Sequence, residues 1–100
     1  MRKNVIDWAN ARGLVKRENA QAQTCKLLEE CGELAGAILK NNREEMIDAI
    51  GDIQVVLIIL SEQLGIDYDE SLASAYNIIR ERKGQMMNGS FVKHTPEHGC

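Results

Sequence analysis

The chain is poor in the residues that build sheets, tight turns and cross-links. One proline and four aromatics stand among 100 residues otherwise rich in Leu, Ile, Ala, Glu, Lys and Gln, a balance that favours an all-helical chain over a sheet protein. Its three cysteines, Cys25, Cys31 and Cys100, form no C-x-x-C pair and leave one over, which argues against a disulfide framework and a zinc ribbon and implies a reducing compartment. Basic charge is in deficit. A formal charge of -3 and a pI near 5.3 do not suggest the basic surface with which a duplex-DNA binder meets phosphates. Long apolar runs are missing as well. The start, MRKNVIDWAN, has no apolar core of signal-peptide length, and the longest aliphatic stretch, Ile53 to Leu60, is interrupted by Gln54 and falls far short of the ~20 residues of a membrane span. A cytoplasmic protein with neither a membrane nor a nucleic-acid partner is expected.

What is present is helical periodicity. With 44% hydrophobic residues, 100 residues suit one domain whose modest core an oligomer interface would complete. Asn4 can cap a short helix through VIDWANAR that stops at Gly13, with Ile6, Trp8 and Ala9 as its apolar positions. A second helix is predicted from about Ala20 to Lys40, with Leu27, Cys31, Leu34 and Ile38 as its apolar stripe, ended by Asn41-Asn42. Asn42-x-x-Glu45 opens a third helix that runs to Leu64 and the left-handed stop Gly65. Asp67-x-x-Glu70 opens a fourth, with Leu72, Ala75, Tyr76 and Ile79 as its apolar positions, ending near Lys83-Gly84. The remainder, from about residue 85, reads as an extended tail with an Asn-Gly turn signal and a short apolar Phe91-Val92.

Two stretches set acids among aliphatics: LLEECGELAG at 27 to 36 and EEMIDAIGDIQVVL at 44 to 57. At about 100° per residue, Glu30 and Glu33 lie about 60° apart, with Glu29 in the same sector. On the third helix Glu45, Asp48 and Asp52 follow i, i+3, i+7 into Val56, Ile59 and Gln63, so Asp52 is expected close to the core. Isolated carboxylates there would cost several kcal/mol or become protonated. A divalent cation removes the conflict. Oxygen ligands from two antiparallel helices suit Mg2+, or Mn2+, while the Glu-x-x-His spacing of di-iron bundles is not found, since His94 and His98 both lie in the tail. The plainer reading is a solvated surface with salt bridges to Lys26, Lys40 and Arg43. Trp8 and Tyr76 could stack on a base, but a lone tryptophan in a short amphipathic helix more often anchors that helix to the core, and the core role is the expected one for Trp8.

LLEECGELAG, followed about fifteen residues later by DAIGDIQVVLIIL and then by AYNIIRERKG, resembles the MazG-like all-α nucleoside triphosphate pyrophosphohydrolases, in particular the short single-domain kind of bacteria and phages, from about Trp8 to Lys93. The resemblance implies an antiparallel helical bundle, here a single domain over 1-100, completed as a homodimer or dimer of dimers. It also implies Mg2+-dependent cleavage of a nucleoside triphosphate between the α and β phosphates. The family pattern, E-E-x-x-E on one helix and E-x-x-D on the next, is met by Glu29, Glu30, Glu33 and Asp52. Glu30, Glu33, Asp52 and Asp48 are the expected metal ligands, with Glu29 as a further ligand or the general base. Asn77, Arg80, Arg82 and Lys83 resemble the phosphate-contacting segment, and Lys93 a tail element that closes over the nucleotide; basic residues in a helix's last turn also simply complement its dipole. One position departs from the pattern: Ala49 stands where E-x-x-D has its glutamate. Asp48, one residue earlier, is adjacent on the helix and is the preferred substitute, with Glu45 the alternative. Two other functions compete: a catalytically inactive helical interaction module, and a phosphoribosyl-ATP pyrophosphohydrolase. Base and sugar specificity do not follow from the motif.

Overall fold

The computed structural model describes residues 1 to 94; His98 and Cys100, weighed above, lie outside them. It is mostly helical, with helices α1 (Arg2–Ala11), α2 (Ala20–Leu39), α3 (Arg43–Gln63) and α4 (Tyr68–Ile79) and strands β1 (Gly84–Met87) and β2 (Ser90–Lys93). A single 3-10 turn, Arg17–Asn19, precedes α2. The described residues form two compact units, Met1–Tyr68 and a second that begins at Asp69. Among the described residues no single helix is long and apolar enough to cross a membrane.

The first unit is α1 packed on a hairpin of α2 and α3. Its helix ends follow from a few residues. Asn42 caps α3, its side-chain oxygen accepting the Glu45 N–H at 3.1 Å. Each of the three helices ends in a left-handed residue with paired back-bonds. Gly13 (φ 71), Asn41 (φ 53) and Gly65 (φ 70) occupy that conformation, and the following N–H groups reach Ala9 O from Leu14, Ala37 O from Asn42 and Ser61 O from Ile66. Replacing Asn42 by Ala is expected to cost about 1 kcal/mol, seen as a lower thermal midpoint with unchanged helicity at low temperature.

Three expectations about this unit need correction. Asn4 does not cap α1; the helix starts at Arg2 and takes Asn4 inside. Trp8 is not a core anchor. It is 47% exposed, with the Arg12 guanidinium 4.1 Å from its ring centroid, while Ala9 is the fully buried residue of α1. The inward row of α2 is Gln23, Leu27, Glu30, Leu34 and Ala37, whereas Cys31 and Ile38 are exposed. Leu27 and Leu34 face inward as expected, and Glu30 and Ala37 take the places expected of Cys31 and Ile38.

The core is thin. Its best-buried members are Ala9, Ala37, Ala49, Val56, Ile58 and Ile59, and among the described residues no large side chain is fully buried. Small residues on α1, α2 and α3 let helix axes approach, because interaxial distance depends on the side chains at the contact. Gln63 ties α3 to the segment after α1 by donating to Leu14 O at 2.9 Å. The aliphatic stretch 53–60 is buried or half-buried within one chain except at Gln54. The exposed aliphatics lie elsewhere, at Leu28, Ile38, Leu39, Ile47 and Ile50.

The second unit holds α4 and a hairpin. α4 ends at Ile79, so Arg80, Arg82 and Lys83 lie in the turn after it and not in a helical last turn. The expected extended tail is a two-stranded antiparallel sheet in the register Gly84↔Lys93 to Met87↔Ser90. Its Asn88-Gly89 loop has φ 50 and 83, the positive pair that a two-residue hairpin turn requires. Gly84 is needed there because a Cβ would collide with Val92 O and the Phe91 ring.

Candidate metal centre

Glu30, Glu33 and Asp52 converge from α2 and α3. Each offers a carboxylate oxygen, and the three oxygens lie within 4.8 Å of one another. Local helix geometry explains the meeting. Glu30 and Glu33 are neighbours at i, i+3 on α2, and Asp52 sits on the side of α3 that leads into buried Val56 and Ile59. Glu30 is only 7% exposed, and its Oε2 is buried with no hydrogen-bond partner. Among the described residues no ion pair reaches any of the three acids, so the salt-bridged surface is not what the centre of this cluster forms.

Burial pushes the Glu30 carboxyl above its ordinary value, the hydrogen bond with Glu33 and the negative charges of Glu33 and Asp52 push it further, and Lys26 opposes them. Stability therefore depends on pH in a defined direction. Between 4.5, the ordinary value, and the raised one, the folded protein keeps a proton that the unfolded chain has released, so stability falls as pH rises through that window. We expect the thermal midpoint of metal-free protein to decline as pH rises through this window, and Glu30→Gln to flatten the decline. A thermal series in a chelating buffer reads both.

An open groove of about 360 Å³ continues from the cluster, lined by Glu33, Gly36, Lys40, Glu45, Asp48, Ala49 and Asp52. Lys40 and Glu45 are joined by a 2.9 Å ion pair. That engagement weighs against Glu45 as the substitute ligand. Asp48 lines the same groove as Glu33 and Asp52 but is not one of the three clustered carboxylates, and Ala49 is buried at 4% exposure. Glu29 is exposed and outside both groups. Gly36 and Lys40 continue the Glu33 row at i+3 and i+7, and of the two Lys40 was expected only as a salt-bridge partner. Space beside Gly36 is open, since a Cβ there meets nothing within 4 Å.

The residues expected to hold phosphate belong to the second unit. Asn77 is exposed on α4, and Arg80 pairs with Glu81 at 3.5 Å. Lys83 and Lys93 come together at the open end of the hairpin, where Lys93 stands opposite Gly84 and the His94 N–H meets Lys83 O at 2.6 Å. Arg82 lies in the same turn.

The three-carboxylate set fits a hard dication. Its donors are all oxygen, one buried oxygen is unsatisfied, and the charge conflict that raises the Glu30 carboxyl is what a cation relieves. This arrangement coincides with a family match: the MazG nucleotide pyrophosphohydrolase domain matches residues 18–87. The chain belongs to this family. The matched span of this MazG domain contains every cluster and groove residue. A similar protein is an uncharacterized 18.2 kDa protein of the rep-hol intergenic region of Haemophilus phage HP1, 45% identical over 65 residues. That alignment covers 65% of this chain and 40% of the phage protein, so the chain spans about two fifths of that relative's length. No solved structure matches the chain significantly.

Proposed function

We propose that the protein hydrolyses a nucleoside or deoxynucleoside triphosphate between the α and β phosphates in a Mg2+-dependent reaction, Mn2+ being the substitute ion. The observation that carries this reading is the convergence of Glu30, Glu33 and Asp52 around an unsatisfied buried oxygen in a MazG domain. Glu30, Glu33 and Asp52 would hold the metal, with Asp48 reaching from the groove. Bound there, the metal would offset the charge of the triphosphate and lower the pKa of water. Glu29, one turn from Glu33 on α2, would accept the water's proton or add a further ligand. Oxygen from water bonds to phosphorus, the bridging P–O bond breaks, and pyrophosphate leaves with the electron pair. Asn77, Arg80, Arg82, Lys83 and Lys93, all in the second unit, are the proposed phosphate-binding residues.

Incubation with a panel of nucleoside triphosphates and Mg2+ tests the proposal. Monophosphate and pyrophosphate in equal amounts are expected; correctly folded protein that releases pyrophosphate from none of them would sink it and leave the inactive interaction module.

We further propose that the chain works as a homodimer or a dimer of dimers in the cytoplasm. In the first unit Leu39 at 88% exposure and Ile47 at 60%, and separately in the second Leu72 at 62% and Ile79 at 53%, support self-association, since large apolar side chains open to water can mark interaction sites. Light scattering across a dilution series is expected to give a multiple of 11.2 kDa; a concentration-independent monomer mass contradicts it.

A further inference from the structure

We propose that the apolar hollow beside Trp8 seats the base of a nucleotide whose phosphates are held at the Glu30, Glu33 and Asp52 cluster, with the indole ring as its stacking platform. The inference rests on the nucleotide reading above. The hollow, about 310 Å³, is lined by Asn4, Val5, Trp8 and Val55. Val55 follows Asp52 by three residues on α3, so the two side chains are neighbours on the helix surface, about 5–6 Å apart at Cβ. One end of a ligand at the cluster is thereby within a helical turn of the hollow.

The lining suits a planar heterocycle. Val5 and Val55 supply apolar walls, and the indole offers a π face, the combination on which bases of any sequence stack. Trp8 is 47% exposed although α1 packs on α3; the burial that secures α1 falls to Ala9, Val5 and Ile6. Arg12 restrains the ring. Its guanidinium lies 4.1 Å from the ring centroid, and its Nη1 donates to Trp8 O at 3.1 Å, so the ring is held in place before a ligand arrives. Asn4 contributes one amide, which makes no hydrogen bond among the described residues. That amide can meet the edge of a base and supplies polar selectivity to the hollow. Stacking tolerates any base, so the hollow sets affinity first and preference second.

Trp8 is the sole tryptophan, which makes its fluorescence a direct report. Wild-type protein is titrated with the four nucleoside 5′-monophosphates and, separately, with inorganic tripolyphosphate and Mg2+. The nucleotides are expected to quench Trp8 saturably, and tripolyphosphate is not. In steady-state hydrolysis, Trp8→Ala is expected to raise KM about tenfold or more with kcat within about threefold, while Trp8→Phe retains most of the affinity. Turnover by the wild type with no quenching, and no change of KM in Trp8→Ala, would overturn the inference and leave the enzyme reading intact. Quenching by nucleotides without pyrophosphate release from any of them would do the reverse. Fluorescence that follows protein concentration and ignores nucleotide would make the hollow a contact between copies of the chain, which also overturns it.

Discussion

Asp52→Asn and Glu33→Gln are each expected to lower Mg2+-dependent pyrophosphate release by at least about a hundredfold, since loss of groups merely supporting a metal ligand already costs ten- to a hundredfold. Both side chains are exposed members of the three-carboxylate cluster, and each change removes charge with little volume. Folding should survive. Metal-free stability is expected to hold or rise, because each substitution removes a negative charge that faces Glu30, whereas the stabilisation that Mg2+ gives the wild type should vanish. The paired readout matters: lost turnover with lost Mg2+ stabilisation assigns the residue to the metal, and lost turnover alone assigns it to a later step. Asp48→Asn is the informative neighbour. Because Asp48 lines the groove without joining the cluster, its effect should be smaller than that of Asp52→Asn. If turnover survives both Asp52→Asn and Glu33→Gln, the centre lies elsewhere.

The departure at Ala49 takes a physical form in the structure. Ala49 is almost fully buried and lines the groove between α2 and α3. Its small side chain is one of three buried alanines of the first unit, with Ala9 and Ala37. The carboxylate that E-x-x-D would place there is replaced by close packing, and Asp48 carries an acid into the groove from the adjacent row.

Helix boundaries were legible wherever a cap is local chemistry. Asn42 with Glu45, and the left-handed Asn41 and Gly65, set the ends of α2 and α3 as read from the residues alone. The start of α1 was not legible in that way. Asn4 is a good cap residue, but the helix begins at Arg2 without any side-chain cap. Half of the α2 stripe, Leu27 and Leu34, was legible, and the other half was not for a reason tied to the site. Assigning the buried row to the most apolar residues selects Cys31 and Ile38, but the structure buries Glu30 and Ala37. A carboxylate in the inward row breaks the local rule, and such breaks gather at functional sites. The hairpin was half legible: Asn-Gly marked its turn, but GQMM and SFVK are too short and too weakly alternating to read as strands. The core role expected of Trp8 failed because exposure of a tryptophan depends on where α1 lies against α3, and periodicity carries no such information.

Ile59→Ala is expected to cost about 3 kcal/mol, within the range for large-to-small changes in a core, and to lower the thermal midpoint by about 12–24 °C for a domain of this size. Ile59 is 3% exposed on α3, the helix on which both α1 and α2 pack. No other element can collapse easily into the space left behind, since the neighbouring core positions are alanines and β-branched residues with little reach. Ile47→Ala, on the same helix at 60% exposure, serves as the contrast. Within one chain it should change stability by no more than about 0.5 kcal/mol. If self-association covers Ile47, its cost should instead grow with protein concentration, because the partner's contribution enters by mass action. Thermal unfolding of both variants over a hundredfold dilution separates the two: a concentration-independent loss at Ile59 belongs to the chain's own core, and a concentration-dependent loss at Ile47 belongs to the interface. Equal, dilution-insensitive losses would mean that the packing on α3 is not as described.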